Sequence, residues 1–295
     1  MSRLAEALRQ AGDANTALAR RDAEPPGTIV DTTTIPEAWR VDRGVEKRDG
    51  TPERARDAFC GLNPSVTGKL VVMPQVPPAA VEQYRRLAAS LHHARLERDT
   101  RVLMVTSASP GEGKTLTATN LALTLSQSYG RSVLLIDADL RRPSVHHLFQ
   151  LPNVLGLSDG LKSETEQKLS LIQVSENLTV LPAGRPDPDP MSGLTSERMR
   201  HIVKEAASRF DWVVIDTPPV GFLSDAKLLV AMVDVAIFVV RAGKSPYRLI
   251  QRALDAVGRN HIIGVVLNAV EESADVAGYY YYGYYGTPRR LGGKG

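Results

Sequence analysis

The chain has 295 residues, 43% of them hydrophobic, which is enough for one large α/β domain with flanking segments. Its 36 basic and 33 acidic side chains leave a net charge of +3 spread along the sequence, so no charge field singles out nucleic acid as a partner. The single Cys60 excludes an internal disulfide and a multi-cysteine metal site, and no run reaches the roughly 18 apolar residues of a membrane span, so a cytoplasmic protein is expected.

Residues 1–78 mix short helical patterns such as "RLAEALRQA" with breaker-rich stretches, "AEPPGTIVDTTTIPEAW" and "MPQVPPAA". They lack sustained periodicity and read as a mostly flexible arm. The start "MSRLAEALRQ" has no apolar core of the signal-peptide kind. A folded domain is expected over 79–277, opening with a long helical pattern in "AAVEQYRRLAASLHHARLE". Apolar runs at 101–106, 132–137, 178–183, 211–216, 234–240 and 262–268 then alternate with helical stretches. Near-continuous Val, Ile and Leu suits strands buried on both faces, and the alternation predicts a doubly wound, mostly parallel sheet. In such sheets ligands bind beyond the carboxyl ends of the strands.

The first run is followed by "SASPGEGKT". Ala108 to Thr115 fits the phosphate-binding loop, with Ala in place of its first Gly. Ser109, Pro110, Gly111, Glu112, Gly113, Lys114, Thr115 and Leu116 are the expected nucleotide-binding residues. Gly111 and Gly113 let main-chain N–H groups turn inward around phosphate oxygens at a helix start. Lys114 carries a point charge for the terminal phosphates, and the Thr115 hydroxyl is a Mg²⁺ ligand candidate. The second run ends "LLIDADLRRP" and the fourth "VVIDTPP", which puts Asp137, Asp139 and Asp216 at strand ends beside the loop. Carboxylates there can hold Mg²⁺, directly or through water, and orient or deprotonate a nucleophile.

These boxes resemble the Walker A, Walker A′ and Walker B motifs of the bacterial tyrosine kinases of capsule and exopolysaccharide biosynthesis, a likeness running from about Glu82 to Asn268. The resemblance implies a P-loop NTPase fold of the type shared with partition and septum-positioning ATPases, ATP and Mg²⁺ as cofactors, and tyrosine as the acceptor. It makes Lys114, Asp137, Asp139 and Asp216 catalytic and Thr115, Asp137, Asp139 and Asp216 the metal set, with either Asp137 or Asp139 as the base. Arg241 and Asn268 stand where relatives contact base or ribose. Positioning ATPases carry a loop resembling "KGGxGKT", whose signature lysine is here Ser109. A nucleotide switch of that kind and a catalytically silent scaffold are the competing readings.

The last segment, 278–295, holds six of the nine tyrosines: Tyr279, Tyr280, Tyr281, Tyr282, Tyr284 and Tyr285. It resembles the family's autophosphorylation tail, and each phosphate would add about −1.5 to −2 charge. "VEQYRRLAASL" is similar to the family's ExxRxxR oligomerisation helix at Glu82 and Arg85, with Ala88 in place of the second Arg. As implied partner the resemblance gives a separately encoded transmembrane activator, or polysaccharide co-polymerase, that holds the kinase at the inner membrane. The pairs His92/His93 and His146/His147 diverge by about 100° on a helix and make no natural metal clamp.

Overall fold

The computed structural model describes residues 41–42, 62–162, 169–222 and 229–270. The tyrosine tail and most of the arm lie outside the described residues. In chain order the strands are β1 (Val41–Asp42), β2 (Val102–Ser107), β3 (Val133–Asp137), β4 (Leu171–Ser175), β5 (Leu178–Leu181), β6 (Trp212–Asp216), β7 (Val235–Arg241) and β8 (Ile262–Asn268). The α-helices that lie wholly within the described residues are α1 (Pro78–Arg98), α2 (Lys114–Ser128), α3 (Val145–Leu148), α4 (Leu157–Lys162), α5 (Met191–Leu194), α6 (Glu197–Arg209) and α7 (Tyr247–Val257).

One sheet takes all eight strands in the order β1-β4-β5-β3-β6-β2-β7-β8. Every pairing is parallel except β4 with β5, which is antiparallel. The six expected strands are all present, and the doubly wound α/β architecture holds. β1 and β4 go beyond the expectation. β1 is too short to show a period. β4 lies towards the sheet's margin and is only partly buried, with no continuous apolar run to mark it.

Side-chain parity builds two apolar layers. Val102, Met104, Leu134, Ile136, Val213 and Ile215 face the layer shared with α6 and α7. Leu103, Val105, Val133, Leu135, Trp212 and Val214 face the layer shared with α1 and α2. Because alternate residues share a face, Asp137 and Asp216 fall on the α1/α2 side of the sheet, where α2 begins. α2 is buried almost all round, as a helix packed between a sheet and another helix must be.

The arm expected to reach residue 78 ends earlier. Pro64–Lys69 form a 3₁₀ helix, and Leu70 behind it is fully buried in the α1/α2 layer. Asn120 of α2 fastens this strap: its Nδ2 donates to the Lys69 carbonyl at 2.9 Å, and its Oδ1 accepts the Val71 N–H at 3.0 Å. At the other end the Asn63 N–H reaches the Leu148 carbonyl at 3.0 Å, joining the strap to α3. The breaker-rich composition conceals it because one leucine and one asparagine hold it, with no periodic face. Leu70→Ala should cost about 2–5 kcal/mol in urea unfolding. A loss of well under about 1 kcal/mol would show that the strap is not part of the cooperative core.

Candidate nucleotide and phosphoryl-transfer site

The loop after β2 turns through two glycines in the left-handed region, Gly111 at φ 78° and Gly113 at φ 94°. Gly113 is also the N-cap of α2, with no side-chain cap, so the first N–H groups of this largely buried helix stay available to an anion. The loop is braced from outside. Glu112 is buried, its carboxylate accepting the Ser109 N–H at 2.9 Å and meeting the Ser245 hydroxyl. The Arg241 guanidinium donates to the Gly111 carbonyl at 3.1 Å, and the Asn268 amide donates to the Glu112 carbonyl at 2.9 Å. A Cβ on Gly113 would sit 1.9 Å from Asn268 Nδ2 and would displace that side chain, while its φ of 94° itself favours glycine. Ala108, at the position of the motif's first Gly, has its carbonyl 2.2 Å from where a Cβ on Gly221 would lie.

Lys114, Thr115, Asp137, Asp139 and Asp216 come together at the ends of β3 and β6, whose last residues, Asp137 and Asp216, are register partners. Lys114 Nζ lies 2.7 Å from Asp139 Oδ2, an ion pair with both side chains about nine-tenths buried. Asp139 Oδ1 takes the Arg142 N–H at 3.2 Å. Asp137 Oδ2 accepts the Ser144 and Val145 N–H groups at 2.9 and 3.0 Å, and its Oδ1 accepts that of Asp139 at 3.2 Å. Asp216 is fully buried, yet neither of its oxygens has a hydrogen-bond partner. The Thr115 hydroxyl is near enough to favour its ionised form without reaching hydrogen-bond geometry.

The electrostatics follow from crowding. Burial, then the Asp216 charge, push the Asp137 carboxyl up to about 7, despite the N–H bonds that favour its ionised form. Burial likewise raises Asp216 to about 6, against the pull of Lys114. Burial works against the Lys114 charge, but Asp216, Asp139 and Asp137 outweigh it and its pKa is raised. A buried carboxylate with two unpartnered oxygens is costly. A divalent cation beside Thr115 would satisfy it, and this donor set of carboxylate and hydroxyl oxygens suits a hard cation. Asp137 and Asp139, placed in the expected metal set, have their oxygens already occupied by main-chain N–H groups and by Lys114. Arg241 and Asn268 brace the loop in this state. Pro110 and Gly111 are exposed, and Leu116 packs into the α1/α2 layer.

The profile of the CobQ/CobB/MinD/ParA nucleotide binding domain matches residues 103–279. Tyrosine-protein kinase YwqD of Bacillus subtilis is 36% identical over 222 residues, which is 74% of this chain and 91% of YwqD. The chain belongs to the bacterial tyrosine-protein kinases of this nucleotide-binding group. Tyrosine-protein kinase wzc of Salmonella typhimurium is 34% identical over 79% of this chain, but only 33% of wzc is covered. The crystal structure of the chimerical protein CapA2B2 superposes with a TM-score of 0.63 at 29% identity, covering 70% of this chain and 91% of that one.

Within this family member, Ser144 and Ser245 were not singled out by the sequence. Their one signal is position, each a short polar residue following a strand-end box. Among the described residues no three His, Cys, Asp or Glu side chains are grouped to hold a metal, the His146/His147 pair included. In the expected oligomerisation helix, Glu82 is paired with Arg86 at 3.4 Å and Ala88 is fully buried.

Asp137 and Asp216 bind protons more tightly in the folded chain than in the unfolded one, whose carboxyls titrate near 3.8. The stability they contribute is therefore complete below about pH 4 and is lost as pH rises through about 6 to 7. In EDTA at pH 8, Asp216→Asn should raise stability by on the order of 2 kcal/mol and flatten the urea-midpoint profile between pH 4 and 8. Gly113→Ala should weaken nucleotide binding in a fluorescence titration, because it strains a left-handed φ and displaces Asn268, and unchanged affinity would show that the loop tolerates both.

Proposed function

We propose that this chain is an ATP- and Mg²⁺-dependent protein-tyrosine autokinase whose acceptors are Tyr279 to Tyr285 of the tail. The observation that carries the reading is the convergence of Lys114, Thr115, Asp137, Asp139 and Asp216, with both Asp216 oxygens buried and unpartnered. Membership of the tyrosine-protein kinases supplies the acceptor.

The loop amides and the start of α2 hold the β- and γ-phosphates. Lys114 leaves Asp139 and turns to the γ-phosphate, as a flexible stem with a compact charge allows. Asp139 and Asp137 are then left facing the acceptor, and one of them takes the phenol proton. The phenol oxygen forms the new P–O bond, the bond to the β–γ bridging oxygen breaks, and ADP departs. Thr115 and Asp216 would hold Mg²⁺, which would supply charge neutralisation for the phosphates.

The reading as a positioning-type ATPase would need a cation at Ser109, whose N–H instead closes the loop on Glu112. Family membership supports a role in capsule or exopolysaccharide synthesis beside the membrane, with a transmembrane partner as activator. Among the described residues no helix is long and apolar enough to cross a membrane. The buried Ala88 offers no contact at the third position of the expected oligomerisation helix, while Glu82 and Arg85 are exposed.

Incubation with γ-labelled ATP and Mg²⁺ should place label on tail tyrosines, and Lys114→Met should reduce it at least about 100-fold, since the lysine acts on charge developing in transfer. ATP turnover with no labelled tyrosine, in the presence of the activator, would favour the switch, and nucleotide binding with no turnover the scaffold.

A further inference from the structure

Ser144 occupies the N-cap of α3, the position at which a serine hydroxyl ordinarily accepts an N–H from the first turn. Ser196 does this at the start of α6, accepting the Met199 N–H. Ser144 does not. Its hydroxyl reaches out of its own helix and lies 3.1 Å from Thr115 Oγ1, across 29 residues of sequence. The same residue's N–H, with that of Val145, holds Asp137 Oδ2. One serine thus grips the Walker A′ carboxylate through its main chain and the Walker A hydroxyl through its side chain.

We infer that Ser144 is a positioning residue that fixes the Thr115 hydroxyl for the nucleotide's divalent cation; the inference rests on the metal-nucleotide reading given above. A hydroxyl that offers a lone pair to a cation keeps its proton and must donate it elsewhere. Two acceptors are near Thr115: the Ser144 hydroxyl and the Asp216 carboxylate. If the proton goes to Asp216, one of that residue's free oxygens is consumed and the carboxylate turns from the cation. If it goes to Ser144, both Asp216 oxygens stay open. An oxygen–oxygen separation of 3.1 Å serves a hydrogen bond in either direction. The contact in which Ser144 now donates therefore reverses by rotation of two hydroxyl protons, with no heavy-atom movement. Ser144 is well suited to accept because its backbone is pinned to Asp137. Its hydroxyl accepts no α3 N–H, so its lone pairs are not committed to a cap.

The test is equilibrium titration of the full chain with a fluorescent ADP analogue, once in EDTA and once in excess Mg²⁺. For the wild type, Mg²⁺ should tighten binding. Ser144→Ala should lose about tenfold of that tightening, the size of effects seen when a residue supporting a metal ligand is removed. Its affinity in EDTA should remain within about twofold of wild type, because the loop amides are untouched. Ser144→Thr should restore the Mg²⁺ effect, and in a Thr115→Ala background Ser144→Ala should have no further effect. Ser144→Cys, close in shape but a weak hydrogen-bonding group, serves the same purpose should the alanine variant fail to fold. Equal losses in EDTA and Mg²⁺ would show a merely structural residue and overturn the proposal, as would a full Mg²⁺ effect in Ser144→Ala. A wild type whose affinity ignores Mg²⁺ would overturn the metal-nucleotide reading and this proposal with it.

Discussion

Three aspartates and one lysine are buried together at the carboxyl ends of two adjacent parallel strands, and the folded chain carries that charge without full compensation. Lys114 neutralises Asp139. Asp137 is quieted by three main-chain N–H groups. Asp216 receives no hydrogen bond, only the pull of nearby Lys114 and the Thr115 hydroxyl. Such buried charge is costly to the fold by itself, which marks the site as a place where ligand charge is expected. A cation beside Asp216 and phosphates beside Lys114 would complete the charge balance that the protein's own side chains leave open.

The fold makes that concentration of charge possible through rigidity around it. The sheet supplies Asp137 and Asp216 from one register, on the face covered by a helix buried nearly all round. The loop is held open by contacts that leave its amides free: Glu112 to Ser109 and Ser245, Arg241 to Gly111, Asn268 to Glu112. All three braces outside the loop come from the ends of β7 and β8 and the turn into α7. A strand order that places β7 next to β2, with β8 beyond it, therefore also sets the shape of the phosphate cradle. On the other flank the strap from residue 62 to α1 is fastened to α2 and α3, the helices that carry Lys114 and Thr115 and the N–H groups on Asp137.

Much of this was written plainly in the sequence. Six β-branched and leucine-rich runs gave their strands because a strand buried on both faces has no polar side to hide. The loop and the three aspartates were legible because phosphate and metal chemistry demands those residue types at strand ends. What stayed hidden was held by single long-range contacts. The strap rests on Leu70 and Asn120, β4 on antiparallel pairing near a margin, and the brace on Ser245, none of which leaves a periodic trace.

The amino-acid order by itself determined the sheet's strands, the phosphate loop and the supply of acids, since each depends on local pattern. Only the tertiary structure decided which acid is left open. Asp137, Asp139 and Asp216 are the same residue type at similar strand-end positions, and their roles separate through partners distant in sequence. Hydrogen bonds and desolvation act over a few ångströms in space, so the difference between an occupied and an unsatisfied carboxylate exists only after the chain has folded.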